Sequence, residues 1–385
     1  MFLKIANKGV FSTAVSQFGI AYSFNFIMAF MPFYVIKISS FGAKETMILT
    51  GMIMGGPHLI TALTAPFWGR LTSRFRPKLV YELGFLCHGI LIMLMGFTNN
   101  LYLLLLLRTI QGVFGGVSTI GIIITSSLSQ EGRLHEDLSL FQNSITAGHL
   151  MGPPIGAYVA SLFGYRTSFI LASMTVFVFL FLCYRYVSDI PLQKRMPKPN
   201  ASYRKKLLLA WALSLVATIH LTFLPSILPT ILEGFKFKGN VALNLAGIII
   251  MSYTFTAFVG TYIFSRISSK LGPKKVIAGV CLSASFLQLL LFFSGGIWTF
   301  IVIRMVQAAC IAAVFPLTIS LFARDIGGGM IGFLNSGRFL GIAVGPLMAT
   351  SVLAYSNLFT LYALIAGFTL VALWRFLAKD KHHET

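Results

Sequence analysis

The sequence predicts an all-α membrane protein, with twelve transmembrane helices in two pseudo-symmetric six-helix halves. Three observations predict it. Of 385 residues, 56% are hydrophobic and only 10% are charged, against about 25% charged in an average soluble domain. Apolar runs of the length needed to cross a bilayer, about 20 residues, recur along the whole chain. The two halves of the chain also repeat one another at a nearly fixed offset. A bilayer can accept that much apolar surface, whereas a soluble core cannot.

The runs place spans at 11–36, 47–68, 79–98, 101–127, 138–162 and 165–187 in the first half. The second half carries 206–232, 241–265, 276–295, 297–323, 328–354 and 357–377. Each run is continuous rather than alternating, which favours helices over a β-barrel. The first span is too long for a cleaved signal peptide and lacks a clear cleavage site.

The formal net charge of +20 invites a nucleic-acid reading, so its distribution decides. With the N-terminus in the cytoplasm, the opposite-side loops hold only Lys37, Lys44, Arg166, Lys236 and Lys238. Arg108, Arg304 and Arg338 fall inside spans, and every other Lys and Arg is on the cytoplasmic side. That is the positive-inside bias, and it predicts both termini in the cytoplasm. The basic charge therefore reports topology and contact with anionic lipid, not a nucleic-acid partner. Cys87, Cys183, Cys281 and Cys310 lie in spans without paired spacing. They read as small buried hydrophobes, with no metal and no disulfide implied.

The only long polar stretch runs from Ser188 to Lys206 and contains PLQKRMPKPNASYRKK. Its prolines and basic residues mark a cytoplasmic linker, 188–205, between halves 1–187 and 206–385. The repeat supports this division. Gly69–Lys78 reads GRLTSRFRPK, and Ser265–Lys274 reads SRISSKLGPK, 196 residues later. The same offset carries Arg108 to Arg304 and Gln111 to Gln307. An offset of 193 carries Gly148, Gly152 and Pro153 to Gly341, Gly345 and Pro346. Repeats of this kind mark secondary transporters, with the substrate site between the halves near the midplane.

Three segments carry the remaining signal. The loop after span 2 holds Gly69, Leu71, Ser73, Arg74, Arg76 and Lys78; simple positive-inside anchoring would also account for its charge. In span 4, Arg108, Gln111 and Gly115 share one helix face. An arginine in hydrocarbon normally faces a cavity or a partner, and a buried structural hydrogen bond is the plainer alternative. In span 5, Gly148, Gly152 and Gly156 form a bare stripe that admits another helix backbone. Pro153 and Pro154 follow inside it and favour a kink. Span 11 has its own stripe, Gly337, Gly341 and Gly345, ending at Pro346.

These segments resemble major facilitator superfamily transporters. The loop is similar to that family's G-x-L-x-D-R-x-G-R-K signature, matched by Gly69, Leu71, Arg74 and Lys78. The resemblance implies a latch between the halves on the cytoplasmic side. Two departures stand in it: Ser73 occupies the usual acid position and Arg76 the second glycine. A weaker latch, or one using Glu82, Glu136 or Asp137, is therefore expected. The R-x-x-Q-G pattern resembles the family's span 4 motif, which implies proton coupling or cavity structure at Arg108. The Gly-Pro pattern of span 5, with APFWGRL from Ala65 and FMPFYV from Phe30, resembles the twelve-span drug:proton antiporter branch. The glycines are expected to shape the interface that rocks during transport.

A coupling ion needs a titrating group whose protonation favours one state. All ten acids lie in loops, tails or near span ends. The remaining candidates are His58, His88, His149 and His220, since histidine titrates near physiological pH; each could equally be a neutral core residue. His149 is preferred for its position beside the glycine stripe, and His88 is demoted because span 3 usually sits outside the cavity in this fold. Tyr22, Asn25, Tyr253, Asn335 and Arg338 are candidate polar lining.

The leading expectation is proton-linked export of amphipathic small molecules by alternating access, from a bacterial inner membrane. The alternative is a uniporter or symporter of an anionic metabolite such as a siderophore or organic acid, which three intramembrane arginines would suit. A monomer without a cofactor is expected. An enzyme is disfavoured, because no metal-ligand cluster, nucleophile elbow or phosphate loop appears in the sequence.

Overall fold

The computed structural model describes residues 7–130, 133–191, 204–322 and 328–378. Residues 192–203 of the expected linker lie outside these. Among the described residues every regular element is a helix, and none is a strand.

The first six spans occupy six α-helices. α1 (Lys8–Ile38) begins at Asn7, whose side chain accepts from Gly9 N at 2.9 Å and so satisfies one of the orphan donors of the first turn. α2 (Ala43–Leu71) follows, then α3 (Pro77–Met95), opened by a proline whose missing N–H costs nothing there. Span 4 is two helices, α4 (Leu101–Val113) and α5 (Val117–Leu128), joined by a 3₁₀ turn over Phe114–Gly116. Asn100 caps α4 by accepting from Tyr102 N and Leu103 N. Spans 5 and 6 run together as α6 (Leu134–Tyr186), interrupted by Gly164 at φ 80°, a conformation that a side chain would strain.

The second half begins with α7 (Arg204–Thr222), a 3₁₀ turn at Leu224–Ile227 and α8 (Leu228–Gly234). Pro225 and Pro229 break this span, because each removes a backbone donor. α9 (Gly239–Leu271), α10 (Pro273–Leu290), α11 (Ile297–Ala312), α12 (Val314–Phe322), α13 (Gly328–Tyr355) and α14 (Leu358–Ala378) complete the chain. Eleven described stretches are long and apolar enough to cross a membrane. One of them, Glu136–Tyr186, has 51 residues and is divided by Gly164, so it holds the two expected spans.

The chain divides into two compact units. One contains the described residues of 1–39, 60–196 and 239–251, the other those of 40–59, 197–238 and 252–385. In the first, α1 lies backbone to backbone along α6. A Cβ on Gly148 would meet Tyr22 N at 2.6 Å, one on Gly152 would meet Tyr22 O at 2.8 Å, and one on Gly156 would meet Phe26 O at 2.0 Å. In the second, α13 lies along α7, with Gly337 against Trp211 O, Gly341 against Leu215 O and Gly345 against Thr222 Oγ1. Both glycine stripes therefore pack two helices of one unit together. A bare stripe gives close approach to any helix, and the partner here is the helix that opens each half.

Candidate functional site

The R-x-x-Q spacing puts Arg and Gln one turn apart on one helix face, and both copies form the same bond. In the first unit Arg108 is fully buried, at 0% exposure. Its Nη1 donates to Gln111 Oε1 at 2.5 Å, its Nη2 to Met28 Sδ at 3.7 Å, and it lies 5.1 Å from the Phe24 ring centre. In the second unit Arg304 is equally buried. Its Nη1 donates to Gln307 Oε1 at 2.5 Å and its Nη2 to Leu221 O at 3.3 Å. The rings of Phe223 and Tyr253 face the guanidinium at 5.1 and 4.5 Å. Tyr253, expected as cavity lining, is buried as part of this cluster.

The contacts extend the repeat. Leu221 stands 193 residues after Met28, and each takes Nη2 of its own arginine. The same offset relates the ring pair Phe30–Phe169, 5.0 Å apart, to Phe223–Tyr362, 6.1 Å apart. On this frame three buried positions change character. Ile27 and Val176 correspond to His220 and Thr369 at the offset of 193, and Ile92 to Gln288 at the offset of 196 that relates Arg108 to Arg304, all six at 0% exposure. An apolar patch in one unit is a polar cluster in the other.

In that cluster His220 Nε2 lies 2.8 Å from Thr369 Oγ1, and its Nδ1 lies 3.0 Å from Gln307 Nε2 and 3.2 Å from Gln288 Oε1. Gln307 Nε2 also donates to Gln288 Oε1, and Thr369 Oγ1 donates to Ile365 O at 2.9 Å. Gln307 thus links the histidine to the arginine. His220 is legible in the sequence, but Gln288 and Thr369 give no signal until the register of spans 3 with 9 and 6 with 12 is known.

The other candidates are dispersed. His149 is exposed on α6, His58 is half-buried on α2, and His88 is buried on α3. Asn25 Nδ2 is turned to its own helix, on Ala21 O at 2.8 Å, and Tyr22 stacks on Phe18. Arg338 lies 4.6 Å from the Phe315 ring centre. The surroundings of Gly69 and the side chain of Asn335 lie outside the described residues. In the loop after α2, Ser73 and Arg74 are exposed, and Leu71 is half-buried. Arg76 pairs with Asp189 at 3.2 Å, while Lys78 donates to Tyr184 O at 2.9 Å and lies 3.8 Å from Glu82. Glu136 pairs with Arg133, and Asp137 accepts from Ser129. The carboxylate that meets the loop arginine is Asp189, at the start of the linker, a residue the sequence gives no reason to choose.

The Major Facilitator Superfamily model matches residues 13–243 and 209–385 of the chain. The chain belongs to the Major Facilitator Superfamily. It is an integral membrane transporter of that superfamily and not an enzyme. It is 26% identical over 367 residues to the multidrug resistance protein MdtG of Proteus mirabilis (strain HI4320), covering 91% of each chain. It is 23% identical over 388 residues to the uncharacterized MFS-type transporter YuxJ of Bacillus subtilis (strain 168), covering 96% of this chain and 98% of that one. Among solved structures it is similar in fold to the nucleoside transporter NupG, with a TM-score of 0.76 at 13% identity, over 97% of this chain and 99% of that one. The human organic anion transporter MFSD10 (TETRAN) superposes with a TM-score of 0.73 at 15% identity, over 96% and 99%. Within the superfamily frame, the buried Arg–Gln pairs are the repeated polar feature of the two units, and the histidine cluster is confined to one.

Proposed function

We propose that the protein exports amphipathic small molecules across a bacterial cytoplasmic membrane by alternating access, in exchange for protons, with both termini inside. The observation that carries this reading is a likeness to multidrug resistance proteins along 91% of the chain. The span 5 motif supports it from within: Gly148, Gly152 and Gly156 bring α6 against the backbone of α1. The charge asymmetry of the loops supports the orientation.

Among the described residues the carboxylates lie in loops or near helix ends, so such a carrier would draw on other groups. Aromatic faces can hold a lipophilic cation in place of a carboxylate. Histidine is the remaining side chain that changes charge near neutral pH.

The test uses purified protein in liposomes with an imposed pH gradient. Tetraphenylphosphonium is expected to accumulate against its gradient in a proton-dependent way, while labelled citrate stays put. Citrate movement that is indifferent to pH and lost on substitution of Arg108 or Arg304 would overturn the reading in favour of an anion carrier.

A further inference from the structure

We propose that His220 holds the coupling proton, and that Gln307 passes its protonation state to Arg304, a switch present only in the second repeat. The inference rests on the proton-linked reading above and names its site.

The contacts of the cluster favour one neutral tautomer, at the cost of the Nδ1 lone pair facing Gln288 Oε1 at 3.2 Å. The arrangement in which no donor faces a donor has the ring proton on Nε2, directed at Thr369 Oγ1. Thr369 in turn donates to Ile365 O. Nδ1 is then an acceptor, and takes one hydrogen of the Gln307 amide at 3.0 Å. The other amide hydrogen goes to Gln288 Oε1, leaving Gln307 Oε1 to accept from Arg304 Nη1. One amide therefore reads a neutral ring on one side and holds a cation on the other.

A second proton can enter only at the Nδ1 lone pair. It converts that atom to a donor facing the Gln307 NH₂ group. Gln288 Oε1, at 3.2 Å, can receive the new hydrogen, but the clash with Gln307 remains. Turning the Gln307 amide over relieves it, because the carbonyl then faces the ring. The same turn points NH₂ at Arg304 Nη1 and breaks that bond. Protonation at His220 is thereby converted into release of Arg304, and repulsion between the two adjacent cations acts in the same direction. The proton leaves by the same lone pair and no other covalent bond changes, while the turn also gives up the hydrogen bond from Gln307 Nε2 to Gln288 Oε1.

The surroundings let this charge be felt. The charge that acts on the ring is Arg304, from α11. Tyr253 of α9 and Tyr362 of α14 face Arg304. α10 presents Gln288 and Cys281, and the described part of α12 has no titratable residue. Arg338 of α13 lies on Phe315 instead. The unit's described carboxylates stand elsewhere: Glu45 in the first turn of α2 and Glu233 beside Lys238. Gln288 Nε2 and Ser285 Oγ, both buried, have no partner among the described residues, so the cluster retains polar atoms able to follow a rearrangement. The first unit has a buried histidine that feels Arg108, His88, but it lacks this wiring. Its Arg108–Gln111 pair is the same, but Ile27, Ile92 and Val176 stand where the ring, the second amide and the hydroxyl are. A cationic substrate would compete electrostatically with the proton, which is the logic of exchange.

The experiment compares the native protein with His220→Gln and with the triple variant His220→Ile, Gln288→Ile, Thr369→Val, which copies the packed core of the first unit. In liposomes, both variants are expected to lose accumulation of tetraphenylphosphonium driven by a pH gradient, while exchange of labelled for unlabelled tetraphenylphosphonium persists. Gradient-driven accumulation at the native level in either variant would overturn the proposal. A second measurement needs no substrate: nitrogen NMR of ¹⁵N-histidine-labelled native protein in lipid. A ring signal absent from His220→Gln should show the neutral Nε2–H form and convert to the doubly protonated form as the pH is lowered. A ring that stays neutral throughout sinks the switch, even if transport proves proton-driven. If the ring titrates but the native protein moves no tetraphenylphosphonium, the export reading fails and the proton site stands.

Discussion

Arg304 donates to Gln307 at 2.5 Å, and Arg108 donates to Gln111 at the same 2.5 Å. The bond is the same, but its company differs. Gln307 also serves His220 and Gln288, whereas Gln111 Nε2 is buried with no partner among the described residues. Removing the amide should therefore cost more in the second unit. Gln307→Leu is expected to destabilise by about 1–3 kcal/mol, from the donors and acceptors it strands, and Gln111→Leu by less. Thermal exposure of the buried thiols Cys183, Cys281 and Cys310 to a maleimide dye measures the order, and equal losses would contradict it.

Close packing of α1 on α6 makes the glycines there sensitive to a single carbon. A Cβ on Gly156 would meet Phe26 O at 2.0 Å, which is backbone and cannot rotate away. Gly156→Ala should cost about 1–3 kcal/mol through overpacking. Gly279→Ala, on α10 with nothing within 4 Å of the new carbon, serves as control and should be neutral or slightly stabilising. The thiol-exposure assay separates them.

The opening segment of α2 packs on α13 inside the second unit. A Cβ built on Gly51 would lie 3.2 Å from the Cβ of Thr350, near the disulfide range of about 3.5–4.5 Å. The pair Gly51→Cys and Thr350→Cys, with the native cysteines replaced, should cross-link on mild oxidation. If alternating access requires α2 and α13 to part, oxidation should arrest transport and reduction should restore it. Full transport in the cross-linked protein would exclude that movement.

Arg76 and Asp189 pair at 3.2 Å with side chains 75% and 43% exposed. An ion pair so open to solvent contributes at most about 1 kcal/mol. Asp189→Asn should leave thermal stability nearly unchanged, and any loss should shrink further in high salt. A large, salt-independent loss would mean that the carboxylate is working as part of a gate and not as a surface pair.

The sequence by itself determined the membrane, the twelve spans and the repeat of Arg108 and Gln111 in Arg304 and Gln307. Those features are written locally, in run length, composition and spacing along one helix. Of the helix breaks at Phe114–Gly116, Gly164 and Pro225, only Gly164 falls at an expected boundary, between 138–162 and 165–187; the other two interrupt spans expected to be continuous. Only the tertiary structure decided which helix each face meets. It set the glycine stripes against α1 and α7 within single units, put Asp189 on Arg76 beside the expected Glu82 on Lys78, and gathered Gln288 and Thr369 around His220. Those partners are 68 and 149 residues away from the histidine. Helical periodicity tells which residues share a face, but in a chain apolar on nearly every face it does not say which faces meet.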